Sequence, residues 1–353
     1  MTPAIDLDQL KDELEALGLA AGLDAFGVAP AAPFAGTLRD LHARRDAGLH
    51  GGMSFTYRNP ERSTDPERAL PGAHSIVVGA RAYRPPAGDR SGARVAAYAV
   101  DDHYSELRAA LGVVADRLVD KGYDTRVLVD DNALVDREAA YRAGLGWYGK
   151  SSNLLLPGRG SWFVLGSIVT SAALPVDEPI GDGCGSCRRC IDGCPTGAIV
   201  APGVVDARRC LAWLLQARGD FPLEFREALG DRIYGCDECQ EVCPPNRRTA
   251  APRDGAQDGV DIVELLAADD ATVMRRHGRW YIADRDPRYV RRNALVVLGN
   301  TGASHDPAVS ETIERYLDDP DPMLRSHAAW ARARVAARAE GRAGGVAEGL
   351  AAT

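Results

Sequence analysis

No stretch of this 353-residue chain approaches the ~20 consecutive apolar residues that a membrane span requires. Its opening, MTPAIDLDQLKDELEALGLA, lacks the basic head and apolar body of a secretion signal, so the expectation is a cytoplasmic protein with no membrane partner. No strand-like run leads into G-x-G-x-x-G and no P-loop occurs, which leaves dinucleotide and nucleoside triphosphate sites without support. Lysine is nearly missing: Lys11, Lys121 and Lys150 stand in an otherwise arginine-based positive complement. Nor is there an excess of positive charge. A net charge of −8 and a pI near 5.5 argue against nonspecific nucleic-acid binding and, taken alone, favour a small-molecule substrate. What remains, 26% charged and 45% hydrophobic, is the make-up of a soluble globular protein long enough for two or three domains.

Cysteine is scarce but concentrated. In a reducing compartment the eight cysteines read as metal ligands or catalytic thiols in preference to disulfides. Cys184, Cys187, Cys190 and Cys194, followed by Pro195, form the C-x2-C-x2-C-x3-C-P run of bacterial ferredoxins, whose fourth cysteine ligates the other cluster. Cys210, Cys236, Cys239 and Cys243, followed by Pro244, repeat it with the first member displaced upstream. The crossed pattern assigns Cys184, Cys187, Cys190 and Cys243 to one [4Fe-4S] cluster and Cys194, Cys210, Cys236 and Cys239 to a second. A pair of structural zinc sites is the alternative, but zinc favours separated C-x2-C knuckles, whereas three cysteines at successive two-residue gaps suit the corners of a cube. The expectation is one-electron chemistry.

The first 180 residues carry the strand-like runs SIVVGARAY, TRVLVD and SWFVLGSIVTS between helical segments, which predicts an α/β or α+β domain around a mainly buried sheet. PVDEPIGDG links it to a ferredoxin-like module at 181–250. Residues 251–340 read as all-helical. Asp286-Pro287 and Asp321-Pro322 open corresponding helices about 35 residues apart, as in HEAT-like repeats, ahead of a flexible tail at 341–353.

Two further features point to chemistry. Asp130 and Asp131 end a strand, where an α/β domain places its ligand; the alternative is a helix N-cap. From Arg275 to Arg292, seven arginines face two aspartates, with Trp280, Tyr281 and Tyr289 interleaved. Two acids cannot neutralise seven bases, so this is a candidate phosphate-contacting and stacking face, extended by Arg247, Arg248 and Arg253.

Taken in order, AGLGWYGK, GSWFVLG, CGSCRRCIDGCPTGAI, DARRC and RIYGCDECQEVCP resemble the epoxyqueuosine reductase family, over roughly residues 10–335. The resemblance implies a cobalamin-dependent iron–sulfur oxidoreductase that completes queuosine on tRNA, with cobalamin bound base-off in the first domain. It implies that Asp130 is the proton donor, that Arg58, Tyr104, Trp147 and Lys150 contact cobalamin, and that the eight cysteines hold two [4Fe-4S] clusters. It further implies an external low-potential electron donor, tRNA binding through Arg275–Arg292, and a monomer. The chain departs from the family pattern at His103 and Ser105, at Asp136 where the family has Glu, in LAWLLQARGDFP, and at CPPN. These departures are expected to line the pocket. They keep open a cobalamin and iron–sulfur reductase of a small molecule, akin to reductive dehalogenation; a plain electron carrier fits least.

Overall fold

The computed structural model describes residues 5–83, 92–249 and 259–341. Arg253 and the tail beyond 341 lie outside the described residues, as does the side chain of Arg248. Four β-branched or small-residue runs form one sheet, β1 (Ala25–Pro30), β2 (Ser75–Ala82), β3 (Thr125–Val129) and β4 (Phe163–Thr170), in the order β1-β2-β4-β3. Every neighbouring pair is antiparallel. The domain is therefore α+β, and the rule that places ligands at the carboxyl ends of parallel strands does not apply to it.

Side chains alternate across the sheet as the pleat requires. Ile76 and Val78 enter a core with Phe34, Leu134 and Ala139 on one face, while Val77 enters the opposite core with Leu14, Leu107 and Val114. That second face is covered by α1 (Leu7–Ala20) and α2 (His103–Asp120). Gly79 and Gly166 oppose each other across β2 and β4, and Leu111 of α2 fills the dent they leave; a Cβ on Gly166 would meet Leu111 at 2.7 Å. Register fixes what gathers at one margin. Ala82 pairs with Phe163, and Val129 with Gly166, so β2 and β3 end where β4 begins. Tyr83, Asp130 and Trp162 sit at that margin.

After α3 (Asp136–Arg142) and the cysteine segment with its short helix α4 (Leu211–Leu214), the chain turns helical: α5 (Ile262–Ala267), α6 (Asp270–His277), α7 (Arg288–Thr301), α8 (Pro307–Leu317) and α9 (Pro322–Ala339). Asp-Pro opens three of these, since Asp306-Pro307 begins α8 between the two helices recognised from sequence. In α8 and α9 the aspartate accepts the first-turn N–H of Ala308 or Met323, and proline occupies the first turn. α7 packs on α9, and their core is continuous with Leu211, Phe221 and Ile233 of the cysteine segment. Among the described residues no helix is long and apolar enough to cross a membrane.

This shared core contains charge. Arg292 is fully buried, and its guanidinium donates to the carbonyls of Leu214 (3.0 Å), Ala217 (2.7 Å) and Gly219 (2.5 Å) at the end of α4, with Phe221 beneath it. Nearby, His327 accepts Phe221 N–H (3.1 Å) and Arg226 Nη2 (3.0 Å) on Nε2, so its proton is on Nδ1, facing Met323 O at 2.7 Å. Burial and then the Arg226 charge push His327 down to about 3. Below the ordinary histidine value the unfolded chain thus binds a proton that the folded chain refuses. The stabilisation is complete above about pH 6.5 and is lost as pH falls toward 3, by about 2 kcal/mol at pH 5. Thermal unfolding of the wild type is expected to lose stability between pH 7 and 5 more steeply than that of His327→Gln; equal slopes would contradict this.

Candidate functional site

Asp130, the residue after β3, has φ of 51° in the left-handed region, which aspartate tolerates better than most residues. The loop behind it is pinned. Arg108 Nη2 donates to Val129 O (2.7 Å), Asp131 Oδ1 accepts Ala133 N–H (2.8 Å), and Ser63 bridges Asn132 O (2.6 Å) and Val135 N–H (3.0 Å). Because α3 begins only at Asp136, neither Asp130 nor Asp131 caps it. Burial raises the proton affinity of Asp130; Arg108 opposes the shift and Asp131 adds to it.

Around Asp130 stand His103, Tyr104 and Asp136, expected from sequence to line the pocket or contact the cofactor, and Tyr83 and Trp162, which were not singled out. Tyr83 meets Trp162 edge-on at 5.9 Å and stacks on His103 at 5.4 Å. Tyr104, in the first turn of α2, is shifted upward by burial and then by the charges of Asp130 and Asp136. Asp136 is raised well above the carboxylate range, by burial first and the Asp130 charge second, and its Oδ1 is sealed from solvent without a hydrogen-bond partner. The Arg137 guanidinium acts on Tyr83, Tyr104, Asp136, Tyr148 and Cys210 together, while donating to Ser152 O at 3.1 Å.

The eight thiols fall into two spatial sets. Cys243 lies within charge reach of Cys190, Cys184 and Cys187. Cys210 and Cys236 lie within charge reach of Cys194 and of each other, and Cys239 within reach of Cys236 and Cys210 and also of Cys190, where the two sets adjoin; all eight thiols are half-buried. Burial, eased by Arg232, pushes Cys236 up to about 12. Cys194 behaves differently. Burial would raise it, but the N–H groups of Thr196 and Ala198, the latter at 3.2 Å from Sγ, outweigh that and stabilise the thiolate. Asn153 Nδ2 adds a contact to Cys239 Sγ at 3.7 Å. Among the described residues no three histidine, cysteine or acidic side chains converge on a single metal ion.

The set containing Cys239 adjoins the sheet margin. Gln240, beside Cys239, donates to Ser161 O (3.0 Å) and reaches the Tyr83 hydroxyl at 3.5 Å. Asn246, of the CPPN departure, accepts Ser161 N–H at 2.5 Å and donates to Ser161 Oγ at 2.9 Å.

Of the cobalamin contacts expected from sequence, only Tyr104 joins the Asp130 group. Lys150 Nζ donates to Gly185 O at 2.6 Å, and the Trp147 ring lies on Gly183, so both brace the loop that leads to Cys184. Gly144–Gly149 does read G-x-G-x-x-G, but it follows a helix and contains the short strand Trp147–Tyr148, so no helix N-terminus faces it. Arg58 lies exposed on the turn Thr56–Arg58, and among the described residues no contact joins it to Asp130. Ser105 is an exposed capping partner of Asp102, bonded at 2.7 Å, and does not line the site.

The arginine face is smaller than its sequence suggests. Arg292 is the buried strut described above, and Arg291 is bound by Asp270 (2.5 Å) and Ala268 O. Arg276 pairs with Glu264 and Arg288 with Asp286 and Asp321, while Arg279 is spent on the carbonyls of Ala99 and Val100. Trp280 is buried, stacked on Tyr234 at 4.7 Å. Apart from Asp286, the neutralising acids, Glu264, Asp270 and Asp321, lie outside the stretch, where a count within it cannot register them.

Comparison with known proteins places this geometry in context. Residues 183–246 match a family model described as a 4Fe-4S double cluster binding domain. The chain is 34% identical over 351 residues to an epoxyqueuosine reductase of Bacillus cereus, covering 94% of this chain and 90% of the relative. It is 36% identical over 346 residues to that of Vibrio cholerae, covering 93% and 92%. A solved epoxyqueuosine reductase with an epoxyqueuosine-modified tRNA-Tyr stem loop superposes with a TM-score of 0.82 at 32% identity, over 93% of this chain and 90% of that one.

Proposed function

Because the chain belongs to the epoxyqueuosine reductase family, we propose that it reduces epoxyqueuosine to queuosine at the wobble position of tRNA. The reaction breaks both carbon–oxygen bonds of an epoxide, forms an alkene, and releases the oxygen as water, consuming two electrons and two protons. The observation that carries the reading is the meeting, at one sheet margin, of a carboxyl with raised proton affinity and, through Gln240, the half-buried thiol set that contains Cys239.

Cys184, Cys187, Cys190 and Cys243 would hold one [4Fe-4S] cluster, and Cys194, Cys210, Cys236 and Cys239 the other. The number of thiols and the N–H donors on Cys194 Sγ fit that group. The margin suits cobalamin through its aromatic faces, Tyr83, Tyr104 and Trp162, and through polar atoms still lacking partners, Trp162 Nε1 and Asp136 Oδ1, which the amides of a corrin edge could satisfy. When bound, these groups supply single-electron delivery from an external low-potential donor and a strongly reducing cobalt nucleophile. The protein's own part is to exclude water at the margin and to present the Asp130 proton to the departing oxygen.

For the RNA, we read the helical cap as HEAT-like. Arg275, exposed and bonded to the Thr272 hydroxyl of its own helix, and the exposed Tyr281 are what the arginine face leaves for phosphate contact and stacking, since Arg285 is held by Gly278 O. The whole-chain similarity to tRNA-modifying reductases supports this substrate over a small molecule or a carrier role.

The test is anaerobic turnover of protein reconstituted with iron–sulfur clusters and cobalamin, given a reductant and epoxyqueuosine-bearing tRNA, with nucleosides read by mass spectrometry. Cobalamin-dependent loss of one oxygen from the modified base is expected. Absence of conversion by protein carrying both groups would overturn the proposal.

A further inference from the structure

The turn between the short antiparallel strands Trp147–Tyr148 and Leu154–Leu155 belongs to the first domain, yet it bonds to the cysteine segment at three places. Lys150 Nζ reaches Gly185 O, between Cys184 and Cys187. Ser152 Oγ donates to Gly203 O (2.7 Å), and Gly203 N–H returns a bond to Lys150 O (3.0 Å); Gly203 lies between Cys194 and Cys210 in sequence. At the third place the side-chain amide of Asn153 donates through Nδ2 to Cys239 Sγ, at 3.7 Å and half-buried. The turn that aims this amide is pinned. Gly149 N–H donates to Asn153 O (2.8 Å) and Ser152 N–H to Gly149 O (2.9 Å), while Ser152, at φ 65°, has its carbonyl held by Arg137 Nη1 (3.1 Å). Because Ser152 and Lys150 already fasten the turn to the cysteine segment, adhesion does not require an amide at the sulfur. Its orientation has a chemical reason: the amide oxygen would be repelled by a thiolate, whereas the N–H groups are attracted.

Resting on the reading that Cys239 holds a [4Fe-4S] cluster, we infer that Asn153 is a positioning residue that tunes this cluster, its amide N–H raising the reduction potential by favouring the reduced form. Reduction adds one negative charge that the sulfur ligands share, and a donor aimed at one of them stabilises the reduced form more than the oxidised form. The contact is half-buried, where a hydrogen bond is electrostatically stronger than in water. The thiol set it acts on is the one that Gln240, beside Cys239, joins to Ser161 and Tyr83 at the sheet margin. A residue of the first domain thus adjusts the electron affinity of the cluster that adjoins the Asp130 group.

Asn153→Leu keeps the volume and removes the donor, so its test reads potential as well as rate. Redox titration of the anaerobic, cluster-loaded protein, followed by electron paramagnetic resonance, is expected to show one cluster signal displaced to lower potential. At the wild-type midpoint the ratio of reduced to oxidised cluster should fall roughly 3- to 10-fold. The displaced signal should be the one that Cys194→Ser deletes, and the other should stay in place. In the unmutated protein carrying 15N-asparagine, electron–nuclear double resonance of that same signal should reveal a coupled asparagine nitrogen, a readout that does not depend on how the variant folds. Turnover by Asn153→Leu should drop with a weak reductant and recover with a strong one in excess, a split that a merely structural defect would not produce. An unmoved potential, an equal displacement of both signals, or the lack of a coupled asparagine nitrogen would overturn the inference. A displaced signal in protein whose wild type converts no epoxyqueuosine would instead refute the substrate reading and leave the role of Asn153 standing.

Discussion

Asp130→Asn is expected to fold, to retain both clusters and cobalamin, and to lose turnover by roughly 10²–10⁴-fold, the range associated with removal of a positioned acid. The expectation of normal folding has a specific basis. Asp130 sits at φ 51°, a conformation that asparagine adopts about as readily as aspartate, whereas a β-branched residue there would add backbone strain. The pins of the loop, Arg108 on Val129 O and Ser63 on Asn132 O, do not use the Asp130 side chain. The substitution therefore removes the transferable proton with little else. The pH dependence follows from the direction of the shift. Burial holds the proton on Asp130 to higher pH than in a free carboxyl, so the wild-type rate should fall as pH rises through that raised value. Asp130→Asn should lack this limb. Full activity in the variant would remove Asp130 from the proton path.

Cys194→Ser is expected to abolish turnover by removing a ligand from the set it does not belong to in sequence. Cys194 closes the first cysteine run, but in space it acts on Cys210 and Cys236. The structure also equips this sulfur more heavily than its neighbours, with N–H donors from Thr196 and Ala198. Serine keeps the volume and the donors but is a poor substitute for a thiolate ligand. Iron content should fall from about eight toward about four per chain. The surviving signal should be the one that Cys187→Ser removes. If Cys194→Ser and Cys187→Ser delete the same spectroscopic signal, the crossed grouping is wrong.

Strands β2, β3 and β4 were readable because their β-branched runs are nearly continuous, as burial on both faces demands. β1 was not: AFGVAP contains glycine and ends in proline, both read as breaks, and only its full pairing with β2 makes it a strand. The same divide runs through the site. All eight thiols were legible from sequence, seven of them in short fixed spacings and Cys210 displaced upstream, and Asp136 was expected at the pocket, whereas Tyr83 and Trp162 are brought together by sheet register, which leaves no local pattern. Lys150 and Trp147 were expected as cobalamin contacts; in the structure Lys150 donates to Gly185 O and the Trp147 ring lies on Gly183. The arginine stretch misled because Arg291 and Arg292 find an acid and carbonyl groups on other segments.

Arg292 has a consequence for how the protein is made. Its guanidinium closes the end of α4, the short helix whose N-cap residue is Cys210, and it belongs to a helix synthesised long after that cysteine. A chain emerging from the ribosome thus completes its first sheet early, as N-terminal units generally do. The segment that follows Cys210 gains its Arg292 contacts only once α7 has left the exit tunnel, so a cluster held there is expected to be inserted only after the C-terminal helices are complete.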